Sequence, residues 1–429
     1  MLFLQKNIIM KLKLLFALLI VQLGFAQQRT CGMEQEMARI MADPQLKAEY
    51  LERQAKFQVE YEKLLAREVA YRSGDANAVN SPAVTIRIPV AVHYPTAAAA
   101  SAAVKTCLRT FAQNQINILN ADYNASNADL SLWTGGASAF YPGVTVGNLD
   151  VQFVLATQNH PAGTGLVNGD VAVTFGTDFT TGDTDSTWSG YMNFVVKNLS
   201  AGLLGYSPLA GSPSAGQTVV MDNNAFASGS GCSGFVPGAP FNLGRTVTHE
   251  LGHFFNLNHT FGAGSGCPSS DGVSDTPQVG EPTYNCPANG SVAGCVSGQF
   301  ALTMNYMDYT NDACMYMFTN GQKTRMLAYI NTIGSQYLTN VLANDDFVKN
   351  NFSIYPNPSN GSFTIQLAEL VDSYSIQVYD STGRLIIENE YNQSSELSQT
   401  VKMDTPATGV YFVSIKSNDG VATKKIIVE

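Results

Sequence analysis

The stretch TVTHELGHFFNLNHTFG, residues 246–262, constrains this chain more than any other. The whole sequence holds five histidines, and His249, His253 and His259 all fall here. His249 and His253 stand four positions apart, so a helix through them turns both imidazoles to one face. Glu250 projects at a different angle and can stand beside a shared ion without ligating it. HExxH on a helix reads as two zinc ligands with the glutamate as general base. A catalytic zinc takes a third protein ligand and keeps its fourth position open. His259 is the candidate, but a continuing helix would carry it away from the ion. The chain must therefore leave the helix at a residue of positive φ. Asn256 suits that place, since asparagine tolerates the left-handed region best after glycine.

The rest of the chain sets the context. At 429 residues it is too long for one ordinary core, which implies two or more folded units. A formal net charge of −10 argues against nucleic acid and anionic membrane surfaces as partners. Lys6, Lys11 and Lys13 precede an apolar run, Leu14 to Phe25, and Gly24 and Ala26 offer small residues at the −3 and −1 places of a cleavage site. Residues 1–26 therefore read as a secretory signal peptide, and Met10 would give it a more usual start. The run is too short for a membrane helix, and no transmembrane segment is expected elsewhere. Export implies an oxidising compartment, so the seven cysteines are disulfide candidates. Cys267, Cys286, Cys295 and Cys314 cluster, which leaves three connectivities open. Cys107 and Cys232 can form a further pair, and Cys31 is left over, too far past the cleavage site for a lipid anchor.

Composition shifts mark the domains. Residues 27–83 are charged and helical in pattern up to the polar stretch SGDANAVNSP at 73–82. Residues 84–342 read as one domain of mixed strands and helices. VTIRIPVAVHYP, LDVQFVLAT, YMNFVVKNL and QTVVMDN are strand-like; CLRTFAQNQINILNADY and NGQKTRMLAYINTI are helical. Pro89 suits an edge strand. A polar linker spans 343–351, and period-2 alternation with Asn-Gly and Asp-Gly turns predicts a small antiparallel sandwich over 352–429.

The extended motif resembles the metzincin signature HExxHxxGxxH, with Asn256 in place of its glycine. GRTVTHELGHFFNLNHTFG, NLSAGLLGYS, DGVSDTP and MNYMDYTNDACMYMFTNGQKTRM together resemble the pappalysin and ulilysin branch across roughly residues 84–335. The resemblance implies an α/β (α+β) metzincin-like zinc protease domain with a mixed sheet and an active-site helix. A helical pro-segment precedes it and an all-β sandwich follows it. It makes His249, His253 and His259 the zinc ligands and Glu250 the base that passes a proton from water to the departing amine. Met307 becomes the methionine under the ligands, and Tyr309 either a transition-state stabiliser or a packing residue.

The same resemblance implies structural calcium at Asp271, the Val273 carbonyl, Asp275 and Thr276, whose oxygens are hard ligands in a flexible loop. It implies the pairs Cys267–Cys295 and Cys286–Cys314. Cys31, in RTCGM, matches a cysteine switch that ligates zinc in a latent precursor until cleavage near 73–84. Relatives prefer a basic residue after the scissile bond, which needs an acid in the pocket. Asp308 and Asp312 are the candidates, with Ala313 and Tyr316 as possible lining. FSIYPNPSNGSFTI, VYDSTGRLI, GVYFVSI and KKIIV resemble the type IX secretion sorting domain, which implies the secretion machinery as a partner and release to the cell exterior. A monomer acting on protein or peptide substrates is the expectation. The competing reading is a secreted adhesive or structural protein in which zinc only holds the fold.

Overall fold

The computed structural model describes residues 28–72, 86–177, 179, 183–200, 202–262, 264–342, 352–367, 373–392, 396–404, 406–417 and 420–429. The expected signal peptide at 1–26, the polar stretch at 73–82 and the expected linker at 343–351 lie outside the described residues. The chain divides into two compact units. One takes in Met1–Ala66, Val92–Leu149 and Val173–Tyr337; the other takes in Arg67–Ala91, Asp150–Ala172 and Leu338–Glu429.

The first unit begins with α1, Met33–Ala42, and α2, Pro44–Arg72, which runs on past Ala66. The break between them falls at Asp43, whose carboxylate accepts from the Gln45 and Leu46 amides and so caps α2, with Pro44 at its first position. Strand β1, Ile86–Tyr94, belongs to both units, since the division falls within it. Then come α3, Ala102–Tyr123; β3, Val173–Phe175; β4, Met192–Lys197; β5, Gly205–Tyr206; and β6, Thr218–Asp222. The Ser101 hydroxyl caps α3 by accepting from the Val104 amide.

The sheet is mixed. β4 pairs parallel with β6, β3 pairs parallel with the second half of β1, and the short β5 is antiparallel to β6. All five residues of β6 are buried and five of six in β4, as expected of parallel strands covered on both faces, whose sequences are continuous apolar runs. In the other unit β2, Val151–Leu155, pairs parallel with the first half of β1. The strand order β2-β1-β4-β6-β5 makes β1 an interior strand, so the edge expectation for Pro89 fails. Successive residues of a strand turn their amides to alternate neighbours, so one proline withdraws only one bond from one side.

Helix α4, Arg245–Phe254, and helix α5, Asn320–Ile333, complete the first unit. A capping box starts α5: the Thr319 hydroxyl accepts from the Gln322 amide, and the Gln322 side chain accepts from the Thr319 amide. No helix or strand lies between Phe255 and Asn311 among the described residues. Disulfides Cys267–Cys295 and Cys286–Cys314, each spanning 28 positions, hold that irregular segment. Cys107–Cys232 ties α3 to the loop after β6. Cys31 is the free cysteine.

The tail forms two antiparallel sheets, of order β10-β9-β12-β13 and β11-β8-β7. These are β7, Phe352–Tyr355; β8, Ser362–Leu367; β9, Ser373–Asp380; β10, Leu385–Asn392; β11, Ser398–Lys402; β12, Gly409–Ser417; and β13, Gly420–Val428. Alternate residues such as Phe363, Ile365, Ile376, Val378, Val413 and Ile426 face one shared core. Among the described residues, no helix is long and apolar enough to cross a membrane.

Candidate metal centre

Helix α4 begins after Gly244 at φ 75° and is buried along its whole length. It stops in the way its sequence demands. Asn256 has φ 70°, and the Leu257 amide reaches back to the Gly252 carbonyl at 2.9 Å, the six-to-one bond of a left-handed helix stop. The turn returns His259 to the face of His249 and His253. His253 Nε2 lies 3.2 Å from His249 Nε2 and 3.0 Å from His259 Nε2. The Cys31 sulfur joins them, and all four donor atoms lie within 4.8 Å of one another.

The donor set fits a zinc ion. His249 Nδ1 faces the Tyr306 carbonyl at 2.6 Å, and His253 Nδ1 faces the Leu257 carbonyl at 2.7 Å. A carbonyl only accepts, so both Nδ1 atoms carry the proton and both Nε2 atoms present lone pairs. Burial holds all three imidazoles neutral, with His253 pushed down to about 4. Converging lone pairs repel unless a cation sits among them. Tetrahedral nitrogen ligands at the usual zinc distance stand about 3.3 Å apart, close to the separations seen here.

Met307 packs under the helix. A Cβ on Gly252 would meet its sulfur at 2.5 Å, so the glycine of HELGH is required for that contact. The Tyr309 ring stands 5.0 Å from the His259 ring and 5.8 Å from that of His249, at the edge of the ligand set. Burial raises its hydroxyl pKa, and the nearby Cys31 and Glu250 charges add to that.

Glu250 faces Cys31. The thiol donates to Glu250 Oε2 at 3.3 Å. Burial pushes the carboxyl up to about 8, against the lowering effect of that hydrogen bond and of the Arg29 charge. Burial and the Glu250 charge raise the Cys31 thiol well above its ordinary value. The Glu250 carbonyl accepts from the Ser207 hydroxyl at 2.7 Å, which anchors the helix to the segment after β5.

The segment around Cys31 lies along β5 as an added strand. The Gly32 amide donates to the Gly205 carbonyl at 2.9 Å, the Leu204 amide donates to the Thr30 carbonyl at 3.2 Å, and the Cys31–Gly205 bridge is parallel. Two residues earlier, Arg29 is buried to 1 % exposure. Its guanidinium meets Asp312 Oδ1 at 2.5 Å, the Thr246 hydroxyl at 3.0 Å and the Thr310 carbonyl at 3.2 Å, and lies 4.9 Å over the Phe241 ring. The other carboxylate oxygen, Asp312 Oδ2, accepts from the Leu243 and Arg245 amides at the start of α4. Asp308 is used differently. Its Oδ1 accepts from the Thr283 and Tyr309 amides, and burial raises its carboxyl to about 6. Sequence reasoning left Asp308 and Asp312 undivided and overlooked Arg29, although RTCG places a cation two residues before the thiol.

The calcium candidates separate. Asp271 Oδ1 accepts from the Val273 amide and the Thr276 hydroxyl, while its Oδ2 is buried without a partner among the described residues. Both oxygens of Asp275 are committed to the start of α5, accepting from the Thr319 hydroxyl and the Gly321 amide.

Two histidines on one helix face and a third returned by a left-handed stop, over a buried methionine, define a centre of the metzincin class. Residues 183–331 match the peptidase M43 family, described as pregnancy-associated plasma protein-A, and residues 353–429 match the secretion system C-terminal sorting domain. An extracellular metalloprotease of Arthroderma benhamiae is 41% identical over 148 residues, 33% of this chain and 50% of the relative. The chain thus spans about half the length of the curated relatives it matches. Mature mirolysin of Tannerella forsythia with a cleaved peptide is 31% identical over 57% of this chain and 91% of that one, with a TM-score of 0.44. A variant of its precursor, promirolysin, is 29% identical over 71% of this chain and 95% of that one, with a TM-score of 0.50. Residues 183–331 thus belong to the pappalysin family of metalloproteases, and the tail is a secretion sorting domain.

Proposed function

We propose that the chain is the latent precursor of an exported zinc endopeptidase, with His249, His253 and His259 as the metal ligands and Cys31 as the occluding fourth ligand. The convergence of all four donor atoms within 4.8 Å, with Glu250 against the thiol, carries this reading. Zinc bound there supplies Lewis acidity and a water of near-neutral pKa. Glu250 takes a proton from the attacking water, holds it, and delivers it to the departing amine. Departure of Cys31 opens the position that water and substrate need, and Tyr309 at the edge of the ligand set is placed to donate to the developing oxyanion. The tail addresses the precursor to the type IX secretion machinery. The test is the full-length Cys31→Ala chain on casein. Chelator-sensitive cleavage far above that of the parent precursor is the expected result. A Cys31→Ala chain as silent as its parent, though zinc-loaded, overturns the switch. No cleavage by any zinc-loaded, pro-segment-free form would favour the adhesive or structural alternative.

The pro-segment also bears on the substrate preference. It runs parallel to β5, so in a substrate lying antiparallel the residue after the scissile bond falls on the Arg29 side. We infer that a basic side chain there enters the pocket of Asp312, Thr246 and Phe241.

Calcium is proposed at Asp271, whose unpartnered Oδ2 needs a positive partner, with the Val273 carbonyl and Thr276 beside it. Asp275 contributes through α5 rather than directly. Adding calcium to about a hundred times its dissociation constant should stabilise the protein by about 2.7 kcal/mol, read as a rise in thermal midpoint. A midpoint indifferent to calcium and to calcium chelation removes this site.

A further inference from the structure

We infer that the turn at Asn256 carries a recognition face for a helix, and that its partner is α2 of this chain's own pro-segment, held independently of Cys31. The inference rests on the precursor reading above.

Asn256 stands where the extended motif has glycine. Its backbone needs only a residue that accepts φ 70°, and glycine would do that more freely. The side chain therefore calls for another explanation. Gln54 Nε2 donates to Asn256 Oδ1 at 3.0 Å, and Asn256 Nδ2 donates back to Gln54 Oε1 at 3.3 Å. Among the described residues, Gln54 is the hydrogen-bond partner of both amide atoms. Asn256 is fully buried in this arrangement, so among the described residues its amide is satisfied by Gln54 of the pro-segment.

Neighbouring contacts extend the match. Arg325 Nε donates to the Asn256 carbonyl at 2.7 Å, and its guanidinium lies 4.9 Å from the Phe57 ring centre and 5.8 Å from that of Tyr61. Phe57, at 2 % exposure the one buried side chain among those described in α2, stacks on Tyr61 at 5.4 Å and meets the Tyr329 ring at 6.1 Å. Arg53 Nε donates to the Ala210 carbonyl, and the Ala210 amide is bonded to the His253 carbonyl. Positions 53, 54, 57 and 61 share one face of a helix. That face reads an amide, a guanidinium and a carbonyl fixed by the helix of His249 and His253, and among the described residues it shows no hydrogen bond or ring contact with His249, His253 or His259. Losing the thiol contact alone therefore leaves α2 seated.

The experiment compares hydrogen exchange over residues 44–66 in three full-length chains: the parent, Cys31→Ala, and the double variant Gln54→Ala with Phe57→Ala. Alanine is the best helix former, so the double variant does not weaken α2 itself. Protection in Cys31→Ala should stay within about twofold of the parent, while the double variant should lose about tenfold or more. Asn256→Gly, which keeps the turn and removes the amide, should fall between them. Protection lost in Cys31→Ala and kept in the double variant would overturn the inference. Exchange is read without substrate, so failure of the latch and failure of the protease reading are separate results.

Discussion

In the matured enzyme, Glu250→Gln is expected to lower kcat for peptide cleavage by about 10³-fold or more, while zinc content and fold stay as in the parent. Glutamine has nearly the same shape and still accepts a hydrogen bond, so the packing beside Gly205 survives; a Cβ on that glycine would already lie 3.0 Å from Glu250 Cγ. What the amide cannot do is take a proton from water and return it. The imidazoles of His249 and His253 are oriented by the Tyr306 and Leu257 carbonyls and not by Glu250, so metal binding is expected not to depend on the carboxylate. Metal analysis and circular dichroism establish that the variant is loaded and folded; turnover of a fluorogenic peptide then isolates the proton step. A loaded variant within tenfold of the parent would remove Glu250 from the mechanism and leave the imidazoles as a binding site without a base.

That centre was legible because its geometry is local. Four-residue spacing sets two histidines on one helix face, and the left-handed tolerance of Asn256 returns the third to it, all within eleven positions. The start of α5 at Asn320 and the alternation through β8, β9 and β12 are local in the same way. What escaped is long-range. Arg29 and Asp312 meet across 283 positions, and Gln54 and Asn256 across 202. Nothing in either residue's neighbourhood announces its partner. Strands β3 and β5 were missed because three and two residues carry no period, and they exist through the strands they pair with. Strand β11, SQTVK, buries little beyond Val401, so its pattern is too weak to read alone. Pro89 misled for the same reason, since a residue's place in a sheet is decided by strands distant in sequence.

Asp312→Asn is expected to cost about 3 kcal/mol of transition-state binding, roughly 10²-fold in kcat/KM, on peptides with arginine after the scissile bond, and little on peptides with leucine there. The carboxylate has two separable duties. Its Oδ1 meets the guanidinium of Arg29, and its Oδ2 receives the Leu243 and Arg245 amides at the start of the ligand helix. Asparagine can keep an oxygen on those amides, so α4 remains anchored. The replacement turns an N–H₂ toward an incoming guanidinium and removes the charge that offsets its burial. Removing one partner of a buried ion pair is costly because the other stays uncompensated. Alanine would be the poorer probe, since it also frees the start of α4 and confounds specificity with stability. The informative quantity is the ratio of kcat/KM for arginine over leucine peptides, in which any general loss of active enzyme cancels. A ratio unchanged from the parent would mean that Arg29 marks a pocket used only by the pro-segment, and that the acid reading the substrate lies elsewhere.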